Sequence, residues 1–254
     1  MKQIPNLFTL LNLVFGCCAI VMTLQQGITI ASDEDGSRWV MMPEAIWYAS
    51  LFIGLAAVVD FLDGFVARLF KATSEMGKQL DSLADVVSFG VAPALIIYQF
   101  LRISVARQEN GLDASMLYFV PAFLFAAAAA WRLAKFNIAT DQQYGFKGVP
   151  TPAAGLLVAS FPLIYWYSGN ETLISLFQNK WFWYGVTALI SGLMVSNLPL
   201  LALKFKGGSV KNYLPQLILA AAAAGSALFL HWLAVPLVFI LYIVVSLLFQ
   251  KKTT

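Results

Sequence analysis

The segment VVDFLDGFVARLFKATSEMGKQLDSLADVVSFG, residues 58–90, places four aspartates beside strongly apolar stretches. Asp60 and Asp63 are spaced i,i+3, and Asp81 and Asp85 are spaced i,i+4, so on helices each pair shares one face. Four carboxylates that face one another repel strongly unless cations lie between them. An all-oxygen set of this kind suits Mg²⁺ or Mn²⁺, and a phosphate-bearing ligand would complete the oxygen shell. Gly64 and Ala67 follow on the same helix and would let a flat or bulky ligand approach the backbone closely. Arg68 is placed to contact a diphosphate through its fork of donors.

Those aspartates need elements to hold them, and the composition says which. The chain has 254 residues, 60% hydrophobic and 11% charged, with mean hydropathy +0.76. A soluble domain of this size carries about a quarter charged residues. The expected fold is all-α, a polytopic transmembrane helical bundle, because a backbone in lipid must satisfy its own hydrogen bonds. Eight spans are expected, at about 7–25, 45–69, 82–102, 116–136, 151–168, 181–203, 214–230 and 233–249, with seven or nine as the alternatives because the last two are short and share a tight turn near His231. The first is expected to be a retained helix, since no A-x-A-like cleavage site follows it. Asp60 and Asp63 then sit near the inner end of the second span, and Asp81 and Asp85 at the start of the third. Antiparallel packing would bring the two pairs together at one edge of the membrane.

Lysine and arginine set the orientation. With the N-terminus inside, Lys2, Arg68, Lys71, Lys78, Arg132, Lys135, Lys147, Lys204, Lys206, Lys211, Lys251 and Lys252 fall inside, against Arg38, Arg102, Arg107 and Lys180 outside. Both termini and the aspartates are therefore expected on the cytoplasmic side of the cell (inner) membrane. The net charge of +3 is topological and argues little for nucleic acid. Cys17 and Cys18 are adjacent in the first span and offer neither a disulfide framework nor metal-ligand spacing, so packing is their expected role. Neither an appended soluble domain nor a fixed-period repeat is visible.

The full pattern is Asp60-x-x-Asp63-Gly64-x-x-Ala67-Arg68, eight residues, then Gly77-x-x-x-Asp81-x-x-x-Asp85. It resembles, at every defined position, the signature of the CDP-alcohol phosphotransferases. The resemblance implies transfer of a phosphate-linked group from a CDP-linked donor to an alcohol, with CMP leaving. It implies a six-helix core open to the cytoplasm, here 1–204, with 205–254 forming two additional transmembrane helices. By the same resemblance Asp60, Asp63, Asp81 and Asp85 are metal ligands, for two ions of Mg²⁺ or Mn²⁺, and Asp85 is also the catalytic proton acceptor. Gly64, Ala67, Arg68, Ser74 and Gly77 line the site for CDP-diacylglycerol. "IPNLFTLLN" is similar to the family's opening helix, with Asn6 and Thr9 facing the nucleotide. A homodimer is implied as well.

Two further stretches narrow the acceptor. "RLAKFN" (132–137) and "FKGVPTPAA" (146–154) resemble the CDP-diacylglycerol–serine phosphatidyltransferases of the integral-membrane type, over roughly residues 1–200. Serine presents a carboxylate and an ammonium beside its hydroxyl. Arg132 or Lys135 would hold the carboxylate, and Asn137 would bond to either end. The residues alone do not choose serine over glycerol 3-phosphate or inositol phosphate, acceptors that would call for extra basic groups. The route to the same lipid that resembles phospholipase D needs two histidine-lysine motifs, and the single histidine, His231, excludes it. A divalent-cation transporter would instead place acidic residues near the bilayer midplane, with a polar path to the outer face.

Overall fold

The computed structural model describes residues 4–25, 29–32, 38–42, 45–70, 74–108, 111–138, 146–201 and 214–249. Helix α1 (Ile4–Leu24) lies along α2 (Ile46–Leu69) and packs on α3 (Glu75–Asp85), and both helices touch the elements that continue α3. The buried positions of α1 are Pro5, Thr9, Asn12, Gly16, Ala19 and Thr23, a stripe of small and polar residues at steps of three and four. Leu7, Leu10, Leu11 and Val14 point outward. That inversion of the soluble pattern is what a helix surrounded by lipid needs, since lipid is as apolar as leucine and helices there associate through small and polar side chains.

A π-helical turn, Val86–Val91, joins α3 to α4 (Ala92–Ala106), so that residues 75–106 form one long segment. The widening has a local cause. Pro93 has no N–H to offer Phe89, and its ring crowds the carbonyl four residues back, so the helix loosens just before it. Three helices close on this turn through small contacts. A Cβ on Gly16 of α1 would meet Ser88 Cα at 2.9 Å, one on Gly90 would meet Ala129 Cβ at 3.1 Å, and one on Gly155 would meet Phe89 Cα at 3.0 Å.

Short 3₁₀ turns lead into α5 (Phe123–Ile138), followed by α6 (Thr151–Tyr167), the brief α7 (Glu171–Phe177) and α8 (Lys180–Val195). Helices α9 (Leu214–Leu230) and α10 (Ala234–Leu248) pair as a hairpin through a 3₁₀ turn at His231, whose φ of 49° makes the tight reversal expected there. Among the described residues, five segments are long and apolar enough to cross a membrane: 5–24, 46–69, 75–106, 116–138 and 215–248. The eight expected spans all appear as helical segments. However, α6 at 17 residues and α8 at 16 are shorter than the about 20 that cross the hydrocarbon, and the last two spans form one apolar stretch. The all-α polytopic class stands.

Two departures from the expected layout bear on the site. The third span begins at Glu75 rather than near 82, because Ser74 caps it by accepting the Gly77 N–H at 3.0 Å and Glu75 suits the positive end of the helix dipole. Asp81 and Asp85 therefore lie about two and three turns inside a helix. Two small antiparallel ribbons also occur. One pairs β1 (Thr29–Ser32) with β2 (Arg38–Met41), and the other pairs β3 (Phe146–Lys147) with β4 (Pro199–Leu200). The second ribbon ends in Gly148 at φ 77°, whose N–H reaches Leu198 O at 2.8 Å, while Val149 N–H reaches Leu193 O at 3.1 Å. It thus fixes the start of α6, where Pro150 and Pro152 sit at the helix entry. The expected boundary between a core and a C-terminal pair, at 204/205, lies outside the described residues.

Candidate active site

Helices α2 and α3 supply the carboxylates. One oxygen each from Asp60, Asp81 and Asp85 lies within 4.8 Å of the other two. The carboxyl groups of Asp60 and Asp81 are close enough to share a hydrogen bond, so a proton or a cation must lie between them. No lysine or arginine pairs with any of the four aspartates among the described residues. Oxygen donors at this spacing, with neither sulfur nor imidazole, fit a hard divalent cation.

Asp63 is turned a little aside. It is buried, and its Oδ2 accepts a hydrogen bond from Thr9 Oγ1 on α1, which also lies near Pro5 O at 3.3 Å. Asp85 is 6% exposed, and its Oδ1 accepts from Asn12 Nδ2 at 3.2 Å. Ser88 in the π turn donates to Asn12 O at 3.0 Å, so the turn and α1 hold each other in register beside Asp85. Asn12 is fully buried, and its Oδ1 has no protein partner. It is absent from the residues singled out in the sequence, although the run Asn6, Thr9, Asn12 at steps of three along an apolar helix was a signal for it.

Between α1, α2 and α3 opens a cleft of about 500 Å³. Asn6, Thr9, Ala67, Ser74 and Gly77, five of the residues assigned to the nucleotide, line it together with Asp63 and Asp81. Glu75 and Lys78, not assigned in advance, line it too. Gly77 keeps the wall thin, since a Cβ there would come within 3.1 Å of Ser74 Oγ and 3.2 Å of Asn6 Oδ1. Gly64 and Arg68 are outside this lining. Arg68 is exposed, and its Nη1 would lie 3.6 Å from a Cβ on Gly64.

The three residues assigned to serine separate. Arg132 on α5 is 8% exposed, with Nη1 donating to Thr151 Oγ1 at 3.2 Å and Nε lacking a protein partner. It lies within electrostatic reach of Asp85 and Tyr242. A buried guanidinium without a carboxylate beside it is costly unless an anion arrives. Lys135 is exposed and donates to Asn197 Oδ1 at 2.8 Å. Asn137 donates to Ser82 Oγ at 2.9 Å and accepts from Lys78 Nζ at its backbone oxygen, 3.0 Å. Both are engaged in holding α5 to its neighbours, so of the three Arg132 is the one with electrostatic reach to Asp85.

Paired aspartates on membrane-length helices beside a polar cleft suit a hard cation and a phosphate-bearing ligand, and the sequence comparison supplies the family. The chain belongs to the CDP-alcohol phosphatidyltransferase family, whose profile it matches over residues 2–191. Its relatives include a CDP-diacylglycerol–serine O-phosphatidyltransferase of Helicobacter pylori, 35% identical over 200 residues, covering 76% of this chain and 70% of that protein. An enzyme of the same name from Bacillus subtilis is 33% identical over 171 residues, covering 65% of this chain and 78% of the relative. An archaetidylserine synthase of Methanothermobacter thermautotrophicus is 31% identical over 167 residues, 65% of this chain and 60% of the relative.

Proposed function

We propose that this multi-pass membrane protein transfers the phosphatidyl group of CDP-diacylglycerol to the hydroxyl of L-serine, releasing CMP and forming phosphatidylserine. The observation that carries the reading is a buried Arg132, hydrogen-bonded to Thr151 with its Nε unpartnered, within electrostatic reach of Asp85, itself one of three convergent carboxylates. The names of the relatives point to the same donor and acceptor.

Asp60, Asp81 and Asp85, with Asp63 from the cleft side, would hold Mg²⁺ or Mn²⁺, in the two-ion arrangement implied for the family. Such ions, when bound, neutralise the diphosphate and the leaving CMP. The chain's own residues do the rest. Asn6, Thr9, Ala67, Ser74 and Gly77 receive the cytidine and its phosphate in the cleft they line. Arg68, lying over Gly64, serves the diphosphate from outside that lining. Arg132 takes the serine carboxylate and so aims the serine hydroxyl at Asp85.

Asn12 anchors one oxygen of Asp85, which keeps the carboxylate plane fixed. Asp85 accepts the hydroxyl proton while the serine oxygen forms its bond to the phosphorus that carries diacylglycerol. The bond from that phosphorus to CMP breaks, CMP departs with the electron pair, and the proton later passes from Asp85 to water. We assign the active site to the cytoplasmic side of the inner membrane, on the distribution of lysine and arginine, and we read the assembly as a homodimer. The test is to supply purified protein with CDP-diacylglycerol and Mn²⁺ or Mg²⁺. CMP release should depend on serine; release with glycerol 3-phosphate or inositol phosphate but not serine would reassign the acceptor.

A further inference from the structure

Between α2, α6, α9 and α10 lies a second cleft of about 620 Å³, well within the roughly 300–1,000 Å³ of small-ligand pockets. Of its lining residues only Asp60 and Tyr242 are polar. The Tyr242 hydroxyl is already committed to Leu201 O at 3.1 Å, which leaves Asp60 as the polar group that meets this space. Asp60 is also a member of the carboxylate trio. The cleft is therefore an apolar slot that ends at the reacting centre. What fits it is an unbranched hydrocarbon chain attached to a head that sits among the carboxylates.

We propose that the α9–α10 hairpin closes this slot around one acyl chain of the lipid donor, which rests on the reading of that donor as CDP-diacylglycerol. Leu219, Val238 and Phe239 form the hairpin's side of the slot, and Ala153 and Leu156 of α6 form the opposite side. The hairpin residues lie beyond the 2–191 span of the family match. It is also firmly attached. Tyr242 Oη donates to Leu201 O at 3.1 Å and Leu201 N–H donates to Ser246 Oγ at 3.3 Å, so both backbone groups of Leu201 are tied to α10. A tail that moves from bilayer to slot gains little energy, because lipid is as apolar as the slot. The gain is positional: a held tail holds the phosphorus against Asp85.

Two measurements test this. In the first, wild-type protein receives CDP-diacylglycerol with a photoreactive diazirine on one acyl chain, after CMP release from that donor with serine has been verified. Adducts are expected on slot residues of α6, α9 and α10; adducts confined to outward residues such as Leu7 and Val14 of α1 would overturn the proposal. In the second, Ala153→Phe and Val238→Phe fill the slot from opposite sides, and Ala127→Phe, on the exposed face of α5, is the control. The ratio of kcat/KM for long-chain over short-chain donor should fall about tenfold or more in both filled variants, as a misplaced reacting centre requires, and stay at the wild-type value in the control. An unchanged ratio in the filled variants contradicts the slot. Absence of CMP release from wild-type protein with every donor would overturn the donor reading instead, and the slot with it.

Discussion

Asn12 of α1 donates its amide to the Asp85 carboxylate across 3.2 Å, joining the opening helix to the last aspartate of the motif. The pair is buried, and Ser88 braces Asn12 from the π turn. A single amide thus fixes the orientation of the proposed base.

Replacing that amide should slow chemistry more than it weakens binding. For Asn12→Ala, loss of a hydrogen bond to a charged group is expected to cost about 1.5–3 kcal/mol, roughly 10- to 100-fold in kcat, with the KM values for serine and donor little changed. Steady-state kinetics with both substrates varied measure this. An unaltered kcat would show that Asp85 does not depend on Asn12.

Asp85→Asn keeps the size of the side chain and removes the base and a charge. Turnover should vanish, while CDP-diacylglycerol binding by equilibrium titration persists through Asp60, Asp63 and Asp81. Near-wild-type CMP release from this variant would remove Asp85 from the chemistry.

Arg132→Leu keeps an apolar stem at a buried position and deletes the guanidinium. The serine KM should rise by a factor equivalent to about 1.5–3 kcal/mol, the scale of a charge-assisted hydrogen bond, and the donor KM should hold. A rise in the donor KM alone would assign Arg132 to the diphosphate.

Exhaustive EDTA treatment should abolish turnover, and Mn²⁺ or Mg²⁺ should restore it, because Asp60 and Asp81 cannot both stay ionised at hydrogen-bonding distance without a cation. Full activity after chelation would contradict a metal at the trio.

The reach of sequence reasoning at this site has a physical boundary. Asp60, Asp63, Asp81 and Asp85 were legible because helix periodicity is local, and an i,i+3 or i,i+4 spacing fixes a face before any packing is known. The apolar stretches were legible for the same reason. Helix α3 was misplaced because hydropathy marks lipid contact, whereas Ser74 starts the helix by capping a polar turn that hydropathy passes over. The π turn was hidden; Pro93 was its one local sign, and its depth of packing depends on Gly16 and Gly155 arriving from helices far along the chain. In sequence, Lys135 is an alternative to Arg132 for the serine carboxylate and Asn137 a partner for either end. Only the tertiary arrangement gives them Asn197 and Ser82 as partners and leaves Arg132 buried within electrostatic reach of Asp85.

The most direct test of the account follows the serine oxygen. Wild-type protein is given CDP-diacylglycerol, divalent cation and serine carrying heavy oxygen at its hydroxyl, and lipid and nucleotide are weighed by mass spectrometry. The account predicts phosphatidylserine that retains the heavy oxygen, unlabelled CMP, and CMP release that stops when serine is withheld. Lipid product without the label, or equal CMP release with and without serine, would contradict attack by the serine hydroxyl on the lipid phosphorus.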